Sequence, residues 1–225
     1  MEDSAADDPA GPDGTRSELR DMHLIPTQEE IVTLLRETGA LRDGHFRYPN
    51  GMHSNEYMQM PLAMRQSQHL RLMSVGLSRK LRANPEIRAI VPELSIVAPA
   101  TAGLPVAYGV CEAIKAKQVY WGERENDDEP LRFRQYLLPE PGEPVVLVDD
   151  ILRSGTKLSE LKKLLEANGA VVVGLAVVLY QPTPNTFDFG NLPFYYLAKL
   201  DASYYRDTAA CELCKAGTPL EKVWV

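Results

Sequence analysis

The chain has 225 residues, of which 44% are apolar and 24% are charged, an ordinary balance for a globular protein with a sizeable core. Its longest apolar run, Val171–Tyr180, is too short to cross a bilayer. The formal net charge is −7, and the first 21 residues hold seven acidic residues and two arginines, so 2 − 7 = −5 of it lies there. No basic patch dominates the rest, which argues against nucleic acid as the main partner.

The N-terminal segment and the cysteines predict a cytoplasmic protein. The segment has no apolar stretch typical of a secretory signal. Residues 1–22 are rich in Asp, Ala, Gly and Pro without periodicity, so we expect a disordered acidic tail, with residues 23–225 forming one domain. Three cysteines, at 111, 211 and 214, are too few for a disulfide scaffold.

Order is expected to begin near Thr27. Thr27 and Glu30 have the spacing of a capping box, and apolar residues at helical spacing follow. Residues 44–60 combine aromatics with Gly, Pro and Asn, which predicts two short strands around a turn at 49–51. Residues 70–81 form an amphipathic pattern that predicts a helix.

From residue 94 onward, predicted strands and helices alternate. The predicted strands are 94–98, 118–121, 145–148 and 171–179, and the predicted helices are 103–116 and 156–168. The aromatic residues between 187 and 196 are expected to cover the sheet or an interface. Alternation of this kind predicts an α/β fold with a mostly parallel sheet, in which ligands bind beyond the carboxyl ends of the strands.

The most informative segment runs from residue 145 to residue 156. An apolar strand is followed by Asp149 and Asp150, then by a loop with Ser154, Gly155 and Thr156, where a helix starts. The helix N-terminus and loop amides favour a phosphate, and glycine lets the backbone approach it closely. Carboxylates accept hydrogen bonds from a sugar diol. The sequence therefore predicts a ligand that presents a phosphate together with hydroxyls or a developing positive charge.

This segment resembles the phosphoribosyl pyrophosphate (PRPP) motif of type I phosphoribosyltransferases. Other segments, in the family's order, resemble those of orotate phosphoribosyltransferases: the N-terminal hood at 38–41, 44–46 and 51–59, the pyrophosphate loop at 98–103, the mobile catalytic loop at 123–125 and 131–134, and the C-terminal end of some bacterial members at 211–214 and 217–220. The resemblance implies the type I phosphoribosyltransferase fold. This fold has a mostly parallel central sheet flanked by helices, with a small hood from about residues 40–62 plus a C-terminal segment.

The resemblance also implies a reaction. Orotate and PRPP would give orotidine monophosphate and pyrophosphate, with Mg²⁺ bound through PRPP and the chain acting as a homodimer. The transition state would be oxocarbenium-like, so catalysis would rest on positioning and charge stabilisation. The substrates would be small molecules, and neither nucleic acid nor a membrane is expected as a partner.

Site residues follow from the same resemblance. The catalytic residues would be Asp149, Asp150 and Arg124, the last usually acting across a dimer interface on departing pyrophosphate. The PRPP-binding residues would be Ala100, Thr101, Ala102 and Gly103 at the pyrophosphate, and Asp149, Asp150, Ile151, Leu152, Arg153, Ser154, Gly155, Thr156 and Lys157 at the ribose and 5′-phosphate. The base-binding residues would be Arg153, Tyr57 and His53.

Three departures from the family's pattern bear on the base. Arg153 stands where the family has a threonine that helps contact the base, and residues 180–184 lack the arginine that grips the orotate carboxylate. Residues 126–129 are acidic in a loop where basic residues and glycine are usual. One hypothesis is that Arg153 supplies the lost carboxylate contact; its rival is that Arg153 fills the base pocket. The alternatives are therefore a transferase for a different base and a PRPP- or nucleotide-binding regulatory protein.

Cys211 and Cys214 form a Cys-x-x-Cys pair, which raises the question of a metal site. A zinc site needs about four ligands, and the sequence has no matching second pair. The histidines, at 23, 45, 53 and 69, are distant in sequence, so a zinc ribbon is expected only across a dimer. We therefore expect structural cysteines and no metal ligands.

Overall fold

A computed structural model describes residues 25–126, 129–134 and 137–223. The acidic tail predicted for residues 1–22 lies outside the described residues. The helices are α1 (Gln28–Glu37), α2 (Met60–Met64), α3 (Ser67–Ala83), α4 (Pro85–Ala89), α5 (Gly103–Ile114), α6 (Thr156–Ala167) and α7 (Glu212–Lys215). The strands are β1 (Leu41–Arg47), β2 (His53–Met58), β3 (Ser95–Pro99), β4 (Gln118–Glu123), β5 (Arg132–Phe133), β6 (Pro144–Leu152), β7 (Val171–Tyr180), β8 (Phe194–Lys199), β9 (Tyr204–Tyr205) and β10 (Glu221–Lys222).

The first helix begins where its sequence predicts. The Thr27 backbone N–H donates to Glu30 Oε2 at 2.7 Å, and the Glu30 N–H donates to Thr27 Oγ1 at 3.1 Å. This reciprocal pair satisfies two amides that the first helical turn leaves without carbonyl partners. The capping box is therefore confirmed.

A six-stranded sheet with the order β5-β4-β3-β6-β7-β8 forms the centre of the molecule. The neighbouring strands β4, β3, β6, β7 and β8 pair in parallel. Strand β5, at the edge beside β4, is antiparallel. Helices α1, α3 and α5 pack on one face of the sheet and α6 packs on the other. The predicted α/β fold with a mostly parallel sheet is confirmed. None of the described helices combines the length and the apolar character needed to cross a membrane.

Strand β6 shows why the apolar runs are continuous. Val146 and Val148 face the α1, α3 and α5 side, while Val145 and Leu147 face α6, and all four are fully buried. A strand covered on both faces has no polar alternation. The sequence predicted that the strand ends at Val148, but pairing with β7 continues to Leu152. Asp149 and Asp150 therefore lie within the strand.

The strand β8 was not predicted. The aromatic residues Phe194, Tyr195 and Tyr196, expected to cover the sheet or an interface, begin an edge strand that pairs with β7. Its first three residues are only half-buried, so its sequence lacks the buried run that identified the central strands.

A second, four-stranded sheet has the order β10-β1-β2-β9. The predicted hairpin is present: β1 and β2 are antiparallel, with a register shift between Asp43 and Phe46. The chain returns near its C-terminal end to add β9 beside β2 and β10 beside β1. Segments more than 140 residues apart in sequence thus share one small sheet.

At the amino ends of the central strands, Glu143 is a buried carboxylate with four donors. It accepts hydrogen bonds from the Ser95 hydroxyl, from Gln118 Nε2 at 2.9 Å, from the Tyr120 hydroxyl at 3.1 Å and from the Glu140 backbone N–H at 2.9 Å. Burial opposes its charge, but these hydrogen bonds outweigh burial and lower the pKa of Glu143. The carboxylate therefore joins β3, β4 and β6 at the edge opposite the aspartate pair.

Glu143→Gln is expected to lower the free energy of unfolding by about 2–3 kcal/mol at neutral pH, because buried donors lose a charged acceptor. A depressed pKa contributes stability above the ordinary value of 4.5, and this contribution is lost as the pH falls. The difference from wild type should therefore shrink in acid. Urea denaturation across that pH range measures it, with Glu93→Gln, an exposed site, as control. Equal stability of the two variants at neutral pH would contradict the assignment.

Candidate active site

A cleft of about 560 Å³ lies at the carboxyl edge of the six-stranded sheet. It is enclosed by the ends of β3, β4 and β6, by the N-termini of α5 and α6, and by the junction between β2 and α2. Its lining residues are Met58, Gln59, Met60, Pro61, Pro99, Ala100, Ala102, Gly103, Arg124 and residues 149–158. Most of the predicted PRPP-binding residues therefore share one cavity.

The carboxylates of Asp149 and Asp150 are buried side by side, with 7% and 5% of their surface exposed. The Asp150 backbone N–H donates to Asp149 Oδ1 at 2.9 Å, and the Ile151 N–H donates to Asp150 Oδ1 at 2.7 Å. Burial, followed by the neighbouring Asp150, raises the pKa of Asp149 well above its ordinary value. Burial also raises the pKa of Asp150. The pair therefore favours ligands that donate hydrogen bonds or carry positive charge.

The N-terminus of α5 contacts this pair directly. A Cβ atom on Gly103 would lie 2.8 Å from Asp149 Oδ1, so any other residue would displace the carboxylate or the helix. Ala102, at the N-cap, carries no polar side chain to cap the first-turn amides. The preceding loop is tied to β4 because the Ala100 N–H donates to the Gly122 carbonyl at 2.8 Å, and its Ala100–Thr101 peptide is cis. These amides and the helix dipole favour an anion.

The amides at the α5 N-terminus form one anion cradle, and a second lies at the start of α6. Gly155 has a φ of +74°, which glycine adopts without strain, and a Cβ there would lie 3.2 Å from Phe187 Cβ. Ser154 Oγ and Thr156 Oγ1 are 3.0 Å apart and exposed. The first-turn amides of α6 and the exposed Lys157 complete the group. The two cradles flank the carboxylate pair from opposite helices.

Arg124 follows β4 and lines the cleft of its own chain. Its guanidinium pairs with the carboxylate of Glu160 on α6, and its side chain is 24% exposed. The Glu160 carboxylate therefore positions the positively charged Arg124 guanidinium at the cleft. Of the loop that follows Arg124, residues 127 and 128 lie outside the described residues.

A buried polar network reaches the cleft through Arg153. Arg153 Nε donates to Gln181 Oε1 at 2.9 Å, and the Tyr204 hydroxyl donates to the same oxygen at 2.9 Å. Gln181 Nε2 in turn donates to Glu56 Oε2 at 2.9 Å. Burial raises the pKa of Glu56, and it raises that of Tyr204 to about 12. The network links the four-stranded sheet to the ends of β6 and β7.

Sequence reasoning missed Gln181, Glu56 and Tyr204. The missing arginine within residues 180–184 was the one available signal, since Gln181 occupies that segment and contacts Arg153 directly. The glutamate and tyrosine come from β2 and β9, and only the three-dimensional pairing of the two sheets brings them close.

Three of the predicted site residues lie outside the described lining of the cleft. Thr101 lies on the pyrophosphate loop but is not among the described residues that line the cleft. Tyr57 and His53 also lie outside it, since side chains alternate along β2 and Met58, which lines the cleft, has the opposite parity. The Tyr57 hydroxyl accepts from the Gln59 amide, which does line the cleft. The His53 imidazole contacts His45 at 3.0 Å within a buried cluster.

Comparison with known proteins agrees with this geometry. A family model described as "Phosphoribosyl transferase domain" matches residues 92–188, which hold the carboxylate pair and both helix N-termini. The orotate phosphoribosyltransferase of Carboxydothermus hydrogenoformans is 32% identical over 193 residues, covering 86% of this chain and 95% of the relative. That of Thermotoga maritima is 32% identical over 192 residues, covering 85% and 96%.

Solved structures agree on the fold alone. Orotate phosphoribosyltransferase from Aeropyrum pernix superposes with a TM-score of 0.59 at 18% identity, covering 76% of this chain and 93% of that one. Adenine phosphoribosyltransferase from Leishmania donovani superposes with a TM-score of 0.56 at 17% identity, covering 78% and 82%. Proteins named for two different bases thus share this architecture.

Asp149→Asn is expected to stabilise the ligand-free protein at neutral pH. The raised pKa of Asp149 means that the folded state favours its protonated form, so this stability contribution is present in acid and is lost as the pH rises. Asparagine keeps an acceptor for the Asp150 N–H and carries no charge. Tm should rise by a few degrees, which corresponds to about 1 kcal/mol.

Thermal unfolding followed by circular dichroism checks this expectation. The gain should vanish as the pH approaches the ordinary aspartate value of 3.8. Asp201→Asn, at an exposed position, is the matched control and should leave Tm unchanged. A lower Tm for Asp149→Asn at neutral pH would refute the argument.

Proposed function

Because the chain belongs to the orotate phosphoribosyltransferase family of type I phosphoribosyltransferases, we propose that it transfers the phosphoribosyl group of PRPP to orotate. The products are orotidine monophosphate and pyrophosphate. One observation carries the proposal: a buried carboxylate pair stands between two helix N-termini in one cleft.

The ribose 5-phosphate part of the donor fits the β6–α6 side of the cleft. Asp149 and Asp150 accept hydrogen bonds from the ribose hydroxyls, which replace the water that burial has removed. The α6 N-terminus, with Ser154 and Thr156, holds the 5′-phosphate. As the glycosidic carbon gains positive charge in the transition state, the carboxylates stabilise it electrostatically.

The departing pyrophosphate fits the opposite side. The amides at the α5 N-terminus and the guanidinium of Arg124 face it, and both favour the negative charge that develops on the leaving group. Mg²⁺, bound through PRPP, would supply positive charge against the pyrophosphate. The carboxylate oxygens of Asp149 and Asp150 are of the type that Mg²⁺ prefers, so the residues present fit the ion.

We propose that Arg153 binds the orotate carboxylate. Its guanidinium lines the cleft and is oriented by Gln181, which lies in the segment where the family carries its arginine. The positive charge that pairs with the orotate carboxylate would thus come from Arg153, in the loop after β6, and not from the segment after β7. Gln181 and Glu56 are buried and hydrogen-bonded to each other, and the Tyr48 hydroxyl also bonds with Arg153, so the guanidinium that would meet the substrate is held in place by neighbouring polar groups.

The four-stranded sheet corresponds to the hood that the family resemblance implies. We propose that residues from about 40–62 and the C-terminal segment form the hood of a single domain spanning 23–225. Residues 58–61 line the cleft, and Tyr204 and Glu56 reach Gln181 from the same sheet. A homodimer in the cytoplasm remains our proposal from the family resemblance, and light scattering after gel filtration tests the dimer.

The activity test is PRPP-dependent loss of orotate absorbance in the presence of Mg²⁺, coupled to pyrophosphate release. Asp150→Asn should lower kcat by about 100-fold or more, because a charge aimed at the transition state is lost. Asp201→Asn should leave the rate unchanged. A panel of bases runs in parallel: turnover of another base, or PRPP binding without any turnover, would replace the proposal by one of the two alternatives.

Arg153→Ala should raise KM for orotate by about 10-fold or more, the effect of losing a hydrogen bond between charged groups. KM for PRPP should change less. Arg71→Ala, at an exposed position on α3, is the control. In the double variant Arg153→Thr/Gln181→Arg, restoring the family's arrangement should recover orotate binding relative to Arg153→Thr. An unchanged or lower KM for Arg153→Ala would favour the rival view that Arg153 fills the base pocket.

A further inference from the structure

A second group of chemically reactive side chains lies outside the cleft, on the four-stranded sheet. His45 is on β1 and His53 on β2, while Cys211 is the N-cap of α7 and Cys214 lies within that helix. One ligand atom from each residue can be chosen so that all four lie within 4.8 Å of one another. The cysteines are more than 150 residues away from the histidines in sequence.

The distances within this cluster match the edges of a tetrahedral metal site. His45 Nε2 lies 3.0 Å from His53 Nδ1, 3.4 Å from Cys211 Sγ and 3.5 Å from Cys214 Sγ. Cys214 Sγ lies 3.3 Å from His53 Nδ1. Tetrahedral zinc with ordinary bond lengths requires about 3.3 Å between two nitrogens and about 3.6 Å between nitrogen and sulfur. Four of the six spacings thus differ from the required values by no more than about 0.3 Å, and the other two are within 4.8 Å.

Hydrogen bonding alone accounts poorly for this convergence. His45 Nδ1 lies 2.9 Å from the Thr218 carbonyl, which accepts only, so Nδ1 carries the proton and Nε2 presents a single lone pair. Three potential donors surround that one lone pair. A metal ion resolves the arrangement, because each ligand then directs its lone pair to a common centre. A histidine whose other nitrogen donates to a backbone carbonyl is the usual form of a metal ligand.

We propose that His45, His53, Cys211 and Cys214 bind one zinc ion. The ligand set is the two-cysteine, two-histidine type, and thiolate with imidazole selects zinc over Mg²⁺. His45, His53 and Cys211 are buried and Cys214 is half-buried, so four protein ligands leave no position for substrate. The site is structural, and it is separate from the Mg²⁺ that accompanies PRPP.

The position of the site defines its role. Helix α7 has only four residues and buries none of them, so apolar packing holds it weakly. The metal would join it to the β1–β2 hairpin. The same hairpin leads into the cleft at Met58, and β10, which follows α7, pairs with β1. Zinc thus anchors the C-terminal part of the sheet that borders the cleft.

The test uses the full chain, purified without a polyhistidine tag from zinc-supplemented medium. Elemental analysis should give one zinc ion per chain. Removing the metal with a chelator should lower Tm, and Zn²⁺ but not Mg²⁺ should restore it. Co²⁺ added to the metal-free protein should give the visible absorption of a tetrahedral site with thiolate charge-transfer bands.

Variants separate the ligands from the third cysteine. Cys211→Ser and Cys214→Ser should each lose zinc, whereas Cys111→Ser, on α5, should retain it. If a ligand variant fails to fold, the Co²⁺ spectrum of the wild-type chain still decides. A protein that holds no zinc and gives no Co²⁺ spectrum, or that carries a Cys211–Cys214 disulfide in place of metal, would overturn the proposal. Activity plays no part in this test, so its result is independent of the proposed reaction.

Discussion

Keeping two carboxylates out of water at the end of β6 is the constraint on which the rest of the site depends. Charged oxygens in a poorly hydrated place are stable only with donors and positive charge around them. The chain supplies backbone amides of Asp150 and Ile151, the dipole of α5 and the side chain of Lys157. These groups leave the pair incompletely compensated, so a ligand with hydroxyls or positive charge gains most by binding there.

The link between the two sheets is the part of the site that we propose selects the base. Arg153 extends from the loop after β6, and Gln181 fixes one of its nitrogens from the end of β7. Glu56 and Tyr204 fix the glutamine from the smaller sheet. In our proposal, a base entering the cleft meets a guanidinium whose direction depends on both sheets. Proteins named for orotate and for adenine share the architecture, so the fold alone does not set the base.

Local sequence signals predicted the elements whose burial is continuous. Apolar runs predicted β3, β6 and β7, and the capping box predicted the start of α1. The acids that follow Val148 indicated the site. The end of β6 was misjudged because its ladder to β7 continues through charged residues, a property of pairing rather than of composition. Strand β8 was missed because half-buried aromatics lack alternation.

Residues that act through tertiary contacts were the harder class. The resemblance of residues 51–59 to the family's hood predicts His53 and Tyr57 at the base, whereas pleating places both outside the described lining of the cleft. The histidines were considered too distant from Cys211 and Cys214 to share a site, yet the return of the chain to β1 and β2 places them in contact. Spacing along the chain carries no information about contacts between residues so far apart in sequence.

The contact between Gly103 and Asp149 has a consequence for protein engineering. Since a methyl group at residue 103 would sit 2.8 Å from the carboxylate oxygen, a larger residue at 103 would require the side chain at 149 to shift, so the two positions are coupled. A library aimed at new acceptor bases should therefore hold both fixed. Its diversity belongs at residues 58–61 and at Arg153, which line the cavity.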